Sequence, residues 1–337
     1  MAAAGVVWAF TPLLARVAVA LSPAAIAGLV LFSALAMVLA SGGSRSKGFA
    51  MLLLGCAIGL IGSDFGGGLP RFTFGISELR DGVGLSPLVV GLFGIGELAA
   101  RWPMLKALGK IADVGRLTPS QFELRSAVAP ALRGTLVGSL VGAMPGGSTL
   151  LASALAQNLE KRMASDRLLY GQGAISGVAA PEAANNAASQ TGLIPLLGLG
   201  LPGNAVMAVM LGALLLHGLP PGPALFQRHP EVFEALIMGM VIANGALLLL
   251  NLPLVGLWVQ VLRMPISWLA PLIVLVSCTG VYAQSRSVFD LGLLAAFGVA
   301  GYGLSRGGFP LAAVVFGAVL GPLFEDHLRR ALMLSGW

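Results

Sequence analysis

LRGTLVGSLVGAMPGGST, residues 132–149, decides how the rest of the chain is read. Gly134, Gly138 and Gly142 recur at four-residue spacing, which lines them along one smooth helix face that a neighbour can approach closely. Pro145 then stops the helix, because its ring offers no N–H and clashes with the preceding turn. Gly146 and Gly147 permit an unusual backbone path, and Ser148 and Thr149 can cap a new helix. A helix N-terminus within a membrane presents free N–H groups and the positive end of its dipole, a ready site for a carboxylate. A kink that serves only close packing is the competing reading.

The surrounding composition places this break in a membrane. Of 337 residues, 57% are apolar and 10% are charged, against roughly 25% charged in a soluble domain. So few charges cannot cover a water-facing surface, which excludes a soluble enzyme or a nucleic-acid module. The net charge of +6 is scattered between apolar runs rather than clustered with aromatics, so nucleic acid is not an expected partner and the lipid bilayer is. The 47 glycines and 20 prolines suit interrupted membrane helices, not a plain bundle. Cys56 and Cys278 show no metal-ligand spacing. The N-terminus lacks a basic region ahead of its apolar run and is a poor signal peptide.

A spanning helix needs about 20 mostly apolar residues. Candidate spans run at about 3–20, 23–41, 47–63, 86–100, 127–144, 232–251, 266–283, 288–304 and 309–324. The stretch 146–218 reads instead as short apolar pieces between polar or Gly/Pro clusters, the pattern of half-helices and re-entrant hairpins. Arg45 and Lys47, then Arg101, Lys106, Lys110, Arg116 and Arg125, mark the cytoplasmic side. The loop 64–85 then lies outside. Lys161, Arg162 and Arg167 return to the basic side, so 127–144 and 147–158 go in and come back. Arg263 and Arg306 fit the same side, whereas Arg329 and Arg330, beside Glu325 and Asp326, fit it less well. No second Gly/Pro-interrupted region occurs at a matching place in the chain.

The second motif is PEAANNAASQT, 181–191. Pro181 suits a first helical position. Glu182, Asn185, Asn186 and Ser189 then share one helix face, while alanines fill the others. A carboxylate, two amides and a hydroxyl in one stripe can coordinate an anion, a Na⁺ or a proton, and such groups at membrane depth are expensive unless they face a cavity or a partner. The competing reading is a polar helix in a cytoplasmic loop. The third motif, GLGLPGN at 198–204, repeats the first: an apolar run, a break at Pro202-Gly203, a polar Asn204 and a new helix. Two breaks flanking a polar stripe form the pattern of a midplane binding site.

Other polar residues read as structural. Glu97 beside Arg101 is an expected interfacial ion pair, His217 and His229 flank a Pro-rich loop, and Asp290 follows Arg286 at a helix start. HExxH, GxSxG and P-loop signatures are missing, so no enzyme and no catalytic residue is expected.

The chain resembles the large membrane subunit, the TctA-type permease, of the tripartite tricarboxylate transporters. The resemblance is carried by PRFTFGISELRDGVG (70–84), by 132–149, by the run 173–223 that holds APEAANNAA, by NLPLVGLWVQVLR (251–263) and by GPLFEDHLRRALMLS (321–335). It implies an all-α, polytopic integral membrane protein with broken and re-entrant helices, in a bacterial inner membrane. It also implies ion-gradient-driven carboxylate uptake without ATP and without a cofactor. The coupling ion would be Na⁺ or H⁺, and the partners a small four-helix membrane subunit and a periplasmic solute-binding protein.

Such subunits are longer, with an inverted first half that has its own Pro-Gly motif. The resemblance therefore implies that Met1 falls within a late helix of that half. Residues 1–126 would then end the first repeat and connect it to 127–337, the second repeat and transport region. Where such subunits typically carry a small Ser after the later Pro-Gly, this chain has Asn204. The expected substrate site is Pro145, Gly146, Gly147, Ser148, Thr149, Asn185, Asn186, Pro202, Gly203 and Asn204, with Glu182 and Ser189 as ion-coupling groups. A truncated, non-transporting remnant or structural subunit is the alternative.

Overall fold

A computed structural model describes residues 2–40, 44–63, 69–107, 119–144, 147–163, 170, 173–262 and 264–335. The order is α1 (Ala2–Val19), α2 (Pro23–Ala40), α3 (Arg45–Gly59), β1 (Gly62–Ser63), β2 (Pro70–Arg71), a 3₁₀ turn (Ser77–Asp81), α4 (Leu85–Val89), a π-helical segment (Val90–Gly96) and α5 (Glu97–Ala107). Then follow α6 (Gln121–Ala143), α7 (Thr149–Met163), α8 (Ser176–Thr191), α9 (Leu193–Leu199), α10 (Ala205–Leu216), α11 (Pro223–Arg228), α12 (Pro230–Leu262), α13 (Ile266–Ser285), α14 (Val288–Arg306) and α15 (Leu311–Ser335). The protein is all-α; among the described residues strand is confined to the pairing of Gly62 with Arg71 and Ser63 with Pro70. Among the described residues seven helical stretches are long and apolar enough to cross a membrane, as expected where every backbone group must be satisfied within its own segment.

Several boundaries differ from the hydropathy reading. The span expected over 47–63 ends at Gly59, and Gly62 leaves the helical path at φ 130°. The helix expected over 232–251 continues through Pro253 to Leu262, and that expected over 309–324 continues through Pro322 to Ser335. A membrane helix tolerates proline where neighbouring groups satisfy the freed carbonyl. The span over 86–100 is interrupted by the π segment VGLFGIG, whose three glycines weaken the regular α-turn. Pro181 is not at a first helical position. It lies inside α8, which begins five residues earlier at Ser176.

The chain divides into two compact units. The first comprises 1–40, 115–252 and 333–337; the second comprises 41–114 and 253–332. In the first, α6 and α7 form an antiparallel hairpin. Val137 and Val141 of α6 pack on Ala152 and Ala156 of α7. α8 runs parallel to α6 and closes over the hairpin. A Cβ on Gly134 would meet the Ala180 carbonyl oxygen at 2.1 Å, one on Gly138 that of Ala184 at 2.2 Å, and one on Gly142 that of Ala188 at 2.5 Å. Only glycine permits this approach, so the stripe read from the sequence is the α6 contact face, matched by the alanines of α8. α1 packs on α9, where Gly198 meets Leu14.

In the second unit α3 and α15 run parallel in a reciprocal glycine crossing. Cβ atoms on Gly55 and Gly59 would strike the carbonyls of Val314 and Ala318, and one on Gly317 that of Leu52. The α4–α5 segment lies against α14 through Gly91 and Gly96, which face Gly298 and Gly301. Lys47 Nζ donates to the Gly307 carbonyl at 2.6 Å, so Arg45, Lys47 and Arg306 share one end of this unit. Glu325 and Arg329 lie at the other end, paired at 2.8 Å, as are Asp326 and Arg330 at 2.9 Å. This accounts for the poorer fit of the last two arginines to the basic side.

Candidate functional site

The two breaks meet in the first unit. α6 ends at Ala143, and the Gly147 N–H donates to the Met144 carbonyl at 2.9 Å, turning the chain back. Gly147 is buried. A Cβ there would lie 1.8 Å from the Val141 carbonyl oxygen, so no other residue fits. Ser148 Oγ then accepts from the Leu151 N–H at 3.1 Å and caps α7 at Thr149. Pro145 and Gly146 lie outside the described residues.

The second break begins where α9 ends in a left-handed Gly200, φ 73°. The Gly200 N–H bonds the Leu196 carbonyl at 2.9 Å, the αL form of helix termination, and the Leu201 N–H bonds that of Pro195 at 3.1 Å. Leu201, Pro202 and Gly203 are buried and non-helical. Asn204 Oδ1 accepts from the Met207 N–H at 3.0 Å and caps α10. A Cβ on Gly203 would lie 3.5 Å from the Met144 carbonyl oxygen and 3.9 Å from that of Gly142. Gly192, between α8 and α9, lies 3.6 Å by the same measure from Asn204 Nδ2. The ends of α6 and α8 and the N-termini of α7 and α10 thus gather around Gly147, Ser148, Gly203 and Asn204. Helix N-termini carry partial positive charge and unbonded N–H groups, so this cluster suits an anionic group. Because Asn204 Oδ1 accepts from its own helix, the group Asn204 can turn to a ligand is its Nδ2 amide, a donor.

The polar stripe is placed differently. Glu182, Asn185, Asn186 and Ser189 share one exposed face of α8, opposite the alanines buried against α6. Asn186 Nδ2 donates to the Glu182 carbonyl at 2.9 Å and Ser189 Oγ to that of Asn186 at 2.9 Å. The stripe forms one exposed face of α8, as read, and its last member Ser189 lies one turn before Gly192.

Several polar pairings between distant segments were not anticipated. Arg133 of α6 grips Glu160 of α7 with Nε at 2.7 Å from Oε2 and Nη2 at 2.6 Å from Oε1, and Glu160 is only 1% exposed. Gln190 Nε2 donates to Asn244 Oδ1 of α12 at 3.1 Å. In the second unit Arg71 binds Glu325 through Nη1 at 2.8 Å and Nη2 at 3.1 Å. A signal for the first existed: Arg133 and Glu160 are equidistant from the turn at 146–147. Nothing in the sequence ties Arg71 to Glu325. The Glu97–Arg101 pair forms within α5 as read. His217 is exposed and His229 lies 3.3 Å from Glu231. Asp290 sits in the first turn of α14, its N–H on Ser287 Oγ. No cluster of three potential metal ligands occurs among the described residues.

Residues 1–316 match the profile of the Tripartite tricarboxylate transporter TctA family. The chain is 39% identical over 326 residues to an "uncharacterized 52.8 kDa protein in TAR-I ttuC' 3'region" of Agrobacterium vitis, covering 96% of this chain and 65% of that protein. It is 46% identical over 191 residues to an uncharacterised protein in the TAR-II ttuC' 3'region of the same organism, covering 57% of this chain and 79% of that one. The chain thus spans just under two thirds of the longer relative. No solved structure matches it.

Proposed function

The chain belongs to the tripartite tricarboxylate transporter TctA family, and on that premise we propose that it is a permease subunit that admits a small carboxylate across the bacterial inner membrane. One observation carries the reading: two separate helix breaks converge, and each opens a capped helix N-terminus beside Gly203 and the Met144 carbonyl. Paired N-termini in a membrane favour a carboxylate because dipole and N–H groups supply positive character without a buried cation. Gly147, Ser148, Thr149, Gly203 and Asn204 form the carboxylate contact, with Pro202 in the second break beside them. Asn185 and Asn186 face the substrate path from the exposed side of α8, and Glu182 and Ser189 beside them serve the coupling ion, Na⁺ or H⁺. The ion gradient drives uptake. A periplasmic solute-binding protein delivers the substrate, and a small four-helix membrane subunit completes the complex.

The test is radiolabelled carboxylate uptake by cells that express the chain with these two partners. Asn204→Leu, Asn185→Leu and Asn186→Leu should each abolish uptake while membrane insertion stays normal. Gly203→Ala adds a methyl at ordinary contact distance from Met144 and should weaken uptake without unfolding. Wild-type uptake by the Asn204 and Asn185 variants together would overturn the assignment.

A further inference from the structure

The loop between α3 and α4 displays an apolar rim. Leu69, Phe72, Phe74 and Ile76 are exposed, Phe74 by 85%. Between them the polar side chains turn inward: Thr73 is buried, and Arg71 is drawn into its bidentate pair with Glu325. The loop is held on both sides. β1 and β2 pair at its start, Ser63 Oγ donates to the Arg80 carbonyl at 2.9 Å, and the Ile76 N–H bonds the Thr73 carbonyl at 2.8 Å. Phe72 and Phe74 have φ of 53° and 50°, a conformation that bulky residues rarely adopt. The fold holds two strained phenylalanines with their rings outward rather than burying them.

The level of this rim follows from the helices of the second unit. α3 has 15 residues, about 22 Å of helix, so it falls short of the roughly 30 Å hydrocarbon layer. Its start carries Arg45 and Lys47, which mark one membrane face. Gly59 lies level with Ala318 of the parallel α15. Glu325 is seven residues further on, about 10 Å. The Arg71–Glu325 pair thus sits about 31 Å from the level of Arg45, at the far edge of the hydrocarbon. Helix tilt would bring it deeper, not further out.

We propose that Leu69, Phe72, Phe74 and Ile76 form an interfacial anchor that seats this loop in the lipid headgroup boundary. The anchor completes the crossing that α3 leaves short. Large apolar side chains at this level gain by leaving water for the boundary between headgroups and acyl chains. The Arg71–Glu325 pair keeps a charge out of the rim while locking the loop to α15. The polar residues that follow, Glu78, Arg80 and Asp81, return the chain to water; Ser77 Oγ bonds the Glu78 carboxylate and holds it below its ordinary carboxylate range.

The test uses the full chain in phosphatidylethanolamine–phosphatidylglycerol vesicles, with Cys56 and Cys278 replaced by alanine. A nitroxide is attached at Phe74→Cys, at Leu69→Cys and, as the aqueous reference, at Glu78→Cys. Labels at 69 and 74 should collide with oxygen more than with an aqueous nickel chelate, and the label at 78 should show the reverse. Two rim positions keep the result decisive if one variant folds poorly. Preferential collision with the nickel chelate at both rim positions would overturn the anchor. Protection at 69 and 74 that arises only when a solute-binding protein is added would overturn it equally, in favour of a protein-docking loop. Neither outcome depends on the uptake reading, because depth is measured without substrate.

Discussion

Consider the Arg133–Glu160 pair, which closes the α6–α7 hairpin about thirteen residues from the tip that carries the first break. Glu160 is 1% exposed and Arg133 34%, so the two halves of the pair are not equivalent. Arg133→Met leaves a carboxylate with no counter-charge in a dry site, a loss of about 3–5 kcal/mol. Glu160→Gln leaves a guanidinium on a long stem that can turn outward toward headgroups or water, so the loss should be nearer 1 kcal/mol. The double variant Arg133→Met/Glu160→Leu removes both charges and fills the same volume. It should fall within about 1 kcal/mol of the wild type, because replacing a buried ion pair with apolar groups is often neutral. Denaturation by sodium dodecyl sulfate titrated into dodecylmaltoside micelles, followed by circular dichroism, ranks the four proteins. Equal losses in the two single variants would refute the burial argument. A double variant worse than Arg133→Met would show that the pair stabilises the hairpin beyond neutralising Glu160.

Gly138→Ala places a methyl 2.2 Å from the Ala184 carbonyl and should cost about 1–3 kcal/mol as α6 and α8 part. Gly239→Ala on α12, where nothing lies within 4 Å, should be neutral or slightly stabilising in the same titration. Ser148→Ala and Asn204→Ala each remove a helix cap and should each cost about 1 kcal/mol, with Asn204→Ser retaining most of it. Arg71→Ala releases the 69–81 loop from α15, so limited trypsinolysis at Arg80 should accelerate severalfold relative to the intact chain.

Hydropathy located the spans because each membrane helix must satisfy its own backbone, so a span is encoded within itself. Its ends were less legible. Pro181, read as a first helical position, lies inside α8, and α12 and α15 run on through Pro253 and Pro322, since a membrane helix can re-satisfy the carbonyl that a proline orphans. The two breaks were readable from Pro-Gly followed by Ser or Asn, because caps act within three residues: Ser148 serves Leu151 and Asn204 serves Met207. Their meeting at Gly203 and Met144 was expected only by analogy with a pattern.

The glycines 134, 138 and 142 were legible as a contact face, a period within one helix. That the face meets the alanines of α8, in parallel and in a register pairing Gly138 with Ala184, was not, since such a face accepts several partners. The same holds for Arg71 and Glu325, 254 positions apart, and for the polar stripe of α8, whose common face follows from helical period but whose exposure depends on what α6 and α7 cover. Local chemistry set the helices, breaks and caps of this protein, because those forces act within one or two turns. Contacts between distant helices set which breaks converge, which charges are buried and which aromatic residues are held outward, because packing selects among partners that short-range patterns leave equivalent.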